Sequence, residues 1–234
     1  MIAENLRLVR EKIDNARLRR LNADKNEAVT LIAVTKNHPA EAAQAAIAAG
    51  ALDLGENRVQ EAKEKFPQLS GEFTRHLIGH LQTNKAKAAV AFFDLIHSID
   101  SLRLATAVDE AAAKINKVQD VLVQVNLARE ASKGGIYFDE LPYLVTKIRK
   151  DLPHLRLRGF MMMAPAYEDT ELCRPLFQEM YDIFLQAKEI DETKENIKYL
   201  SMGMSHDYEI AVEEGANMVR VGTAIFGERD YGRH

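Results

Sequence analysis

Cysteine is nearly absent from this chain of 234 residues, which contains only Cys173. A single cysteine cannot form a disulfide within the chain, and the sequence has neither a Cys-X-X-Cys pair nor a cysteine and histidine cluster that could hold structural zinc. A reducing cytoplasm is therefore the expected compartment.

An excess of positive charge is also lacking, because 31 lysines and arginines stand against 35 aspartates and glutamates, giving a formal net charge of -4. No basic field exists to attract nucleic acid or an anionic membrane, so we expect neither as a partner. No apolar run is long enough to span a bilayer. Charged residues between Glu4 and Lys12 leave the N-terminus without the apolar core of a signal peptide.

The sequence does contain a strand-then-helix alternation that repeats eight times. Each predicted strand is short and mostly apolar, and a segment with helical spacing follows it. This alternation, with short connections, predicts an α/β fold in which parallel strands close into a (β/α)8 TIM barrel, typically of roughly 250 residues. The predicted strands cover residues 30–36, 51–57, 76–79, 94–99, 121–127, 155–163, 199–203 and 218–222.

Residues 1–22 stand outside this alternation. Leu6, Val9 and Ile13 recur at near-helical spacing among charged residues, which predicts an extra amphipathic helix laid against the barrel. No linker, low-complexity tract or sign of a second domain interrupts the pattern. We therefore expect a single domain over residues 1–234 and, because the leading helix offers no clear dimer seam, a monomer.

The first predicted strand ends at a lysine. Ile32, Val34 and Lys36 share one face in a period of two, so Lys36 leaves the sheet beside an apolar column. Partial desolvation lowers the pKa of a lysine and favours the neutral amine, which attacks aldehydes to give Schiff bases. The alternative is that the charge of Lys36 simply reaches solvent at a strand end.

Closure of the barrel would pair the last strand with the first. Paired backbones lie about 4.8 Å apart, so Arg220 and Lys36 are expected to become neighbours at the carboxyl ends of their strands. A nearby arginine would lower the lysine pKa further by like-charge repulsion. The alternative is a structural role in which Arg220 pairs with Asp53 or Glu56.

Two loops near the end of the chain combine glycine with small residues, at residues 201–205 (SMGMS) and 222–224 (GTA). The loops after strands seven and eight commonly hold phosphate in barrel enzymes, through N–H groups at helix N-termini. Ser205 could instead cap the following helix without any ligand. Together with an amine and an arginine, an anion site indicates an aldehyde-bearing phosphate ester such as pyridoxal 5'-phosphate (PLP).

Five blocks of the sequence carry a resemblance to a known family. The blocks are residues 33–36 (AVTK), 55–61 (GENRVQE), 76–85 (HLIGHLQTNK), 200–205 (LSMGMS) and 218–227 (MVRVGTAIFG). In order and spacing, over nearly the whole chain, they resemble the pyridoxal phosphate homeostasis proteins, the YggS/PROSC family. The resemblance implies a fold-type III PLP-binding barrel related to the N-terminal domain of alanine racemase.

The resemblance also implies roles for individual residues. PLP would be carried as a Schiff base on Lys36, and Arg220 would face the pyridine nitrogen. The phosphate would be held by Ser201, Ser205, Gly222 and Thr223, with Asn57 and Met161 flanking the ring.

The sequence departs from the family pattern at three places, one of which is an extra glycine in the loop at residues 132–135. His38 stands where many relatives carry a second basic residue, which weakens any role in passing the cofactor between lysines. The sixth strand ends in residues 160–164 (FMMMA) rather than in a threonine and isoleucine pair, which leaves the pocket wall beside the ring undefined.

By this resemblance we expect the protein to be a carrier and regulator rather than an enzyme. It would bind PLP reversibly, influence vitamin B6 and amino-acid pools, and use PLP-dependent apoenzymes as transient acceptors. An amino-acid racemase is the alternative, although an arginine at the ring nitrogen makes a weak electron sink and no tyrosine is an evident second acid/base. A class I aldolase-like barrel, in which the lysine attacks a sugar phosphate, is a third.

Overall fold

The computed structural model describes residues 1–130, 133–191 and 196–227, so the final seven positions of the predicted domain lie outside it. Within these ranges parallel strands β1 to β8 form a closed barrel in sequence order, which confirms the predicted (β/α)8 architecture. The strands are β1 (Thr30–Val34), β2 (Asp53–Glu56), β3 (Thr74–Leu77), β4 (Leu95–Ile99), β5 (Gln119–Val125), β6 (Leu155–Met162), β7 (Tyr199–Ser201) and β8 (Met218–Val221).

Helices alternate with these strands and cover the outside of the barrel. In the ranges given above, no helix is both long enough and apolar enough to cross a membrane. The helices are α1 (Ile2–Leu18), α2 (Ala40–Ala48), α3 (Val59–Lys65), α4 (Ala86–Phe92), α5 (Leu102–Ala113), α6 (Leu141–Asp151), α7 (Arg174–Glu189), α8 (Tyr208–Glu213) and α9 (Thr223–Phe226).

The barrel strands are buried on both faces, which explains their lack of polar alternation. One face packs under the helices in the main core, as Ala33 and Leu54 do. The other face fills the barrel with a separate apolar layer. That inner layer contains Ile32, Val34, Leu95, Leu122, Met161 and Met218.

The leading helix α1 packs across the seam where the chain closes on itself. Its apolar stripe, which includes Leu6, Val9 and Ile13, is buried, and the helix contacts α2, α8 and α9. Just beyond its end, Arg20 is fully buried and donates hydrogen bonds to the carbonyls of Val212 at 2.9 Å and Ala216 at 2.6 Å. These bonds tie the end of the helix to the segment that precedes β8.

The register between β8 and β1 corrects one expectation. Arg220 is paired with Ile32, not with Lys36. The pairing begins with Thr30 against Met218, so Arg220, two residues into β8, is matched with the residue two positions into β1. Lys36 therefore lies further along the barrel axis, and any approach between the two side chains depends on their length and not on strand register.

Candidate functional site

A cavity of about 220 Å³ opens at the carboxyl ends of the strands. Its wall is partly apolar, with Val34, Ile78 and Met163, and includes His206 at the exposed rim. Six of the eight predicted site residues lie in this wall, on β8 and in the segments that directly follow β1, β2, β7 and β8. They are Lys36, Asn57, Ser205, Arg220, Gly222 and Thr223.

The other two predicted residues are not in the wall of this cavity. Met161 is fully buried in the inner apolar layer, and Met163, the next inward residue along the chain, lies in the wall instead. Ser201 is also fully buried, and its hydroxyl is hydrogen-bonded to Arg220 and His97. Neither side chain lines the cavity in this structure, because both are buried in the barrel interior, so direct contact of either residue with a ligand stays a prediction.

Arg220 is held from below by two hydrogen bonds. Its Nη1 donates to Ser201 Oγ at 2.7 Å, and its Nη2 donates to the Met162 carbonyl at 2.9 Å. Burial lowers the pKa of the guanidinium to about 10, an effect that the charge of Asp207 partly opposes. Arg220 remains a cation at neutral pH, and it forms none of the ion pairs with Asp53 or Glu56 that the structural alternative required.

Lys36 is positioned through its two neighbours in the chain. The Thr35 amide donates to the Gly55 carbonyl at 3.0 Å, and the Thr35 hydroxyl donates to Glu56 Oε1 at 2.5 Å. On the other side, the amide of Asn37, a residue with φ of 60°, donates to Glu61 Oε1 at 2.6 Å. The backbone on both sides of Lys36 is thus attached to β2 and α3.

Lys65, which the sequence analysis did not identify, joins these attachments. Its Nζ donates to the Thr35 carbonyl at 2.6 Å, to Glu56 Oε1 at 2.6 Å and to Glu61 Oε1 at 3.0 Å. Both Lys65 and Glu56 are buried, and burial raises the pKa of the Glu56 carboxyl although the bond from Lys65 opposes the shift. The spacing of Glu61 and Lys65, four residues apart on α3, was the available sequence signal.

The two predicted anion loops are joined to each other. The Gly222 amide donates to Ser205 Oγ at 3.2 Å. Helix α8 begins at Tyr208, after Asp207, so the alternative in which Ser205 caps this helix is wrong. At the rim, the His38 ring packs on Phe226 with ring centroids 5.0 Å apart, which places this departure from the family pattern beside α9.

The residues of this cavity fit PLP. An amine that reacts with aldehydes, a fixed guanidinium for a ring nitrogen and a loop pair of small residues for a phosphate all face one space, whose remaining wall is apolar enough to pack on a ring. Within the described ranges, no cluster of histidine, cysteine, aspartate and glutamate could hold a metal ion.

Comparison with known proteins gives matches over nearly the whole chain. Residues 2–230 match the family described as the alanine racemase N-terminal domain. The pyridoxal phosphate homeostasis protein of Escherichia coli strain K12 is 41% identical over 236 residues, which cover 99% of this chain and 98% of that protein. A protein of the same name from Aquifex aeolicus is 40% identical over 202 residues, which cover 86% of this chain and 87% of that protein.

Solved structures agree with these matches. PipY of Synechococcus elongatus, in a structure with PLP bound, has a TM-score of 0.83 and 37% identity, and the match covers 97% of this chain and 100% of PipY. An alanine racemase of Clostridium difficile has a TM-score of 0.71 at 17% identity, and the match covers 99% of this chain and 60% of the racemase. The likeness to the racemase concerns the fold alone, whereas the likeness to PipY extends to the sequence.

Replacement of Lys65 with methionine should destabilise the protein strongly. Breaking a buried ion pair costs roughly 3–5 kcal/mol because one charge is left without its partner, here that of Glu56. Urea unfolding measures the change. Lys63→Met is the matched control on the same helix, because Lys63 is exposed, and its effect should stay below about 0.5 kcal/mol. Equal effects of the two substitutions would contradict the role of Lys65.

The stability of the protein should depend on pH through His97, which lies beneath Arg220. Burial, together with the positive charge of nearby Arg220, lowers the pKa of His97 well below its usual value. The native imidazole therefore stays neutral, while the unfolded one gains a proton as the pH falls through about 6.5. Below that pH, protonation of His97 in the unfolded state increasingly lowers the free energy of unfolding.

We expect the wild-type protein to lose stability relative to His97→Gln as the pH is lowered from 7 toward 5.5. Urea unfolding of both proteins across this range gives the difference between their free energies of unfolding. The contributions of other titrating groups cancel in that difference. A difference that stays constant with pH would show that native His97 titrates normally.

Proposed function

Because the chain belongs to the pyridoxal phosphate homeostasis proteins, within the family of the alanine racemase N-terminal domain, we propose that it binds PLP reversibly and regulates vitamin B6 and amino-acid pools. Lys36 carries the cofactor as a Schiff base. The protein acts in the cytoplasm as a monomer, with PLP-dependent apoenzymes as transient acceptors.

The observation that carries this proposal is the shared cavity of Lys36 and Arg220. The lysine amine is supplied from the turn after β1, whose backbone Glu56, Glu61 and Lys65 hold on both sides of Lys36. The guanidinium is supplied from β8, and its orientation is fixed by two hydrogen bonds. When bound, PLP supplies an aldehyde that accepts the amine and a pyridine ring whose nitrogen accepts a hydrogen bond.

The loops after β7 and β8 bind the phosphate in this proposal. Ser205 and Thr223 offer hydroxyl groups, and Gly222 offers a backbone that a phosphate can approach closely. The bond from the Gly222 amide to Ser205 keeps the two loops at a fixed separation. Val34, Ile78 and Met163 exclude water from the face of the ring, and Asn57 lies beside it.

The composition of the cavity wall supports a carrier without catalytic turnover. Among its residues in the described ranges, the ionisable side chains are Lys36, Arg220 and His206, and neither tyrosine nor carboxylate contributes. Racemisation requires an acid/base on each face of the substrate carbon. The guanidinium of Arg220, a donor without an acceptor site, leaves a ring nitrogen without a proton and weakens the ring as an electron sink.

Borohydride reduction of the PLP-loaded protein, followed by peptide mapping, should place the cofactor on Lys36. Lys36→Ala should abolish the covalent product, because reduction traps only a carbon and nitrogen bond that already exists. Lys85→Ala is the control, since Lys85 is an exposed lysine near the same end of the barrel. A product on a different lysine in the wild-type protein would refute the assignment of Lys36.

Two further measurements separate a carrier from a racemase. The loaded protein should restore activity to a PLP-dependent apoenzyme faster than spontaneous dissociation of the cofactor allows. Exchange of deuterium into the α-carbon of a panel of amino acids should remain at the level of free PLP. Sustained exchange that His206→Gln removes would favour the racemase and identify its second acid/base.

A further inference from the structure

A row of hydrogen-bonded polar side chains crosses the interior of the barrel beneath Arg220. From Ser201, which accepts from Arg220, the row continues to His97, whose Nδ1 lies 3.1 Å from Ser201 Oγ. His97 Nε2 lies 3.0 Å from His76 Nδ1, and His76 Nε2 lies 2.9 Å from Asp53 Oδ1. The row thus joins five strands, from β8 through β7, β4 and β3 to β2.

The middle of the row is dry. Ser201 and His97 are fully buried, and His76 is 1% exposed. Asp53, at the start of β2, retains 22% of its side-chain exposure and is the member nearest to solvent at the amino-terminal end of the barrel. In a dry interior each polar atom needs a partner within the row, so the direction of every hydrogen bond matters.

Chemistry at the upper end of the row determines that direction. A guanidinium can only donate, so Ser201 Oγ accepts from Arg220 and must send its own proton elsewhere. His97 Nδ1 is the acceptor within reach, which leaves the proton of a neutral His97 on Nε2. That proton faces His76 Nδ1, so the proton of His76 lies on its own Nε2.

Chemistry at the lower end leads independently to the same direction. An ionised carboxylate can only accept, so Asp53 requires a proton on His76 Nε2. If the row ran the other way, His97 would donate to a Ser201 oxygen that already accepts from Arg220, and the serine proton would have no acceptor in the row. Both ends therefore select one arrangement, with each imidazole neutral and protonated on Nε2.

We infer that His97, His76 and Asp53 are positioning residues for Arg220, which hold Ser201 as an acceptor and so fix the guanidinium toward the ring nitrogen of bound PLP. This inference rests on the proposed function for the identity of the ligand, but the arrangement of protons belongs to the protein alone. A carboxylate that selects one histidine tautomer is a known device of enzyme sites. Here it acts through two histidines in series.

The first experiment tests the arrangement in the protein without cofactor. Long-range proton and nitrogen correlation spectra of the protein labelled with ¹⁵N-histidine should show the Nε2–H tautomer for both His76 and His97 at pH 7. His76→Gln and His97→Gln identify the signals. A proton on Nδ1 of either histidine, or a charged imidazole at His97, would overturn the inference, whether or not PLP binds.

The second experiment tests the effect on the ligand. Asp53→Asn keeps the size of the side chain but removes the selection at the lower end, so that only the bond from Arg220 still opposes the reversed arrangement and a second, minor set of histidine signals should appear. We expect PLP to bind roughly 10-fold more weakly, the scale on which outer partners of a ligand site act, and the absorption maximum of the bound cofactor to shift. Asp120→Asn is the matched control, because Asp120 is paired with Arg156 at the barrel surface. This substitution should leave the histidine signals, the PLP affinity and the absorption maximum unchanged.

A merely structural role for the row would lower the stability of Asp53→Asn while its PLP affinity and cofactor spectrum match those of the wild-type protein. That result would refute the positioning role. If the wild-type protein itself binds no PLP, the proposed function fails, and the tautomer spectra of the protein alone still decide the arrangement of the row.

Discussion

The pairing of β8 with β1 is the contact on which the site depends. It joins Met218–Val221 to the first strand and closes the sheet, so that Arg220 and Lys36 face one cavity instead of lying at opposite edges of an open sheet. Contacts between residues so distant in sequence form at a cost in chain entropy. Helix α1 supports the closure, because it packs on α8 and α9, and Asn5 donates to the Ile225 carbonyl at 2.9 Å.

Two buried polar networks hold the opposite sides of the cavity. One centres on Lys65 and holds the backbone around Lys36, and the other descends from Arg220 through Ser201 and His97. Burying such groups is unfavourable unless their hydrogen bonds are satisfied. In return, one network fixes Arg220 on β8 and the other fixes the turn directly after β1 that carries Lys36, so both side chains are held by the barrel scaffold.

Much of this organisation was predictable from local patterns. The alternation of apolar strands with amphipathic helices predicted the barrel, because both periods are properties of short segments. Local patterns also identified Lys36 as a lysine that follows an apolar strand, and they identified the loops around Ser205 and Gly222 as candidate anion sites. The resemblance placed Met161 and Ser201 against the ligand, and no local pattern shows that both are buried without lining the cavity, because the depth of a side chain along the barrel axis depends on strand register.

The sequence by itself determined which segments form strands and helices, which chemical groups end those strands, and to which family the chain belongs. Tertiary structure alone decided that Arg220 pairs with Ile32, that Lys65 reaches the carbonyl beside Lys36, and that His76 and His97 meet. The physical reason is that side-chain contacts in a barrel combine residues from strands far apart in the chain. Strand tilt and register select those combinations, and both are fixed only when the whole sheet closes.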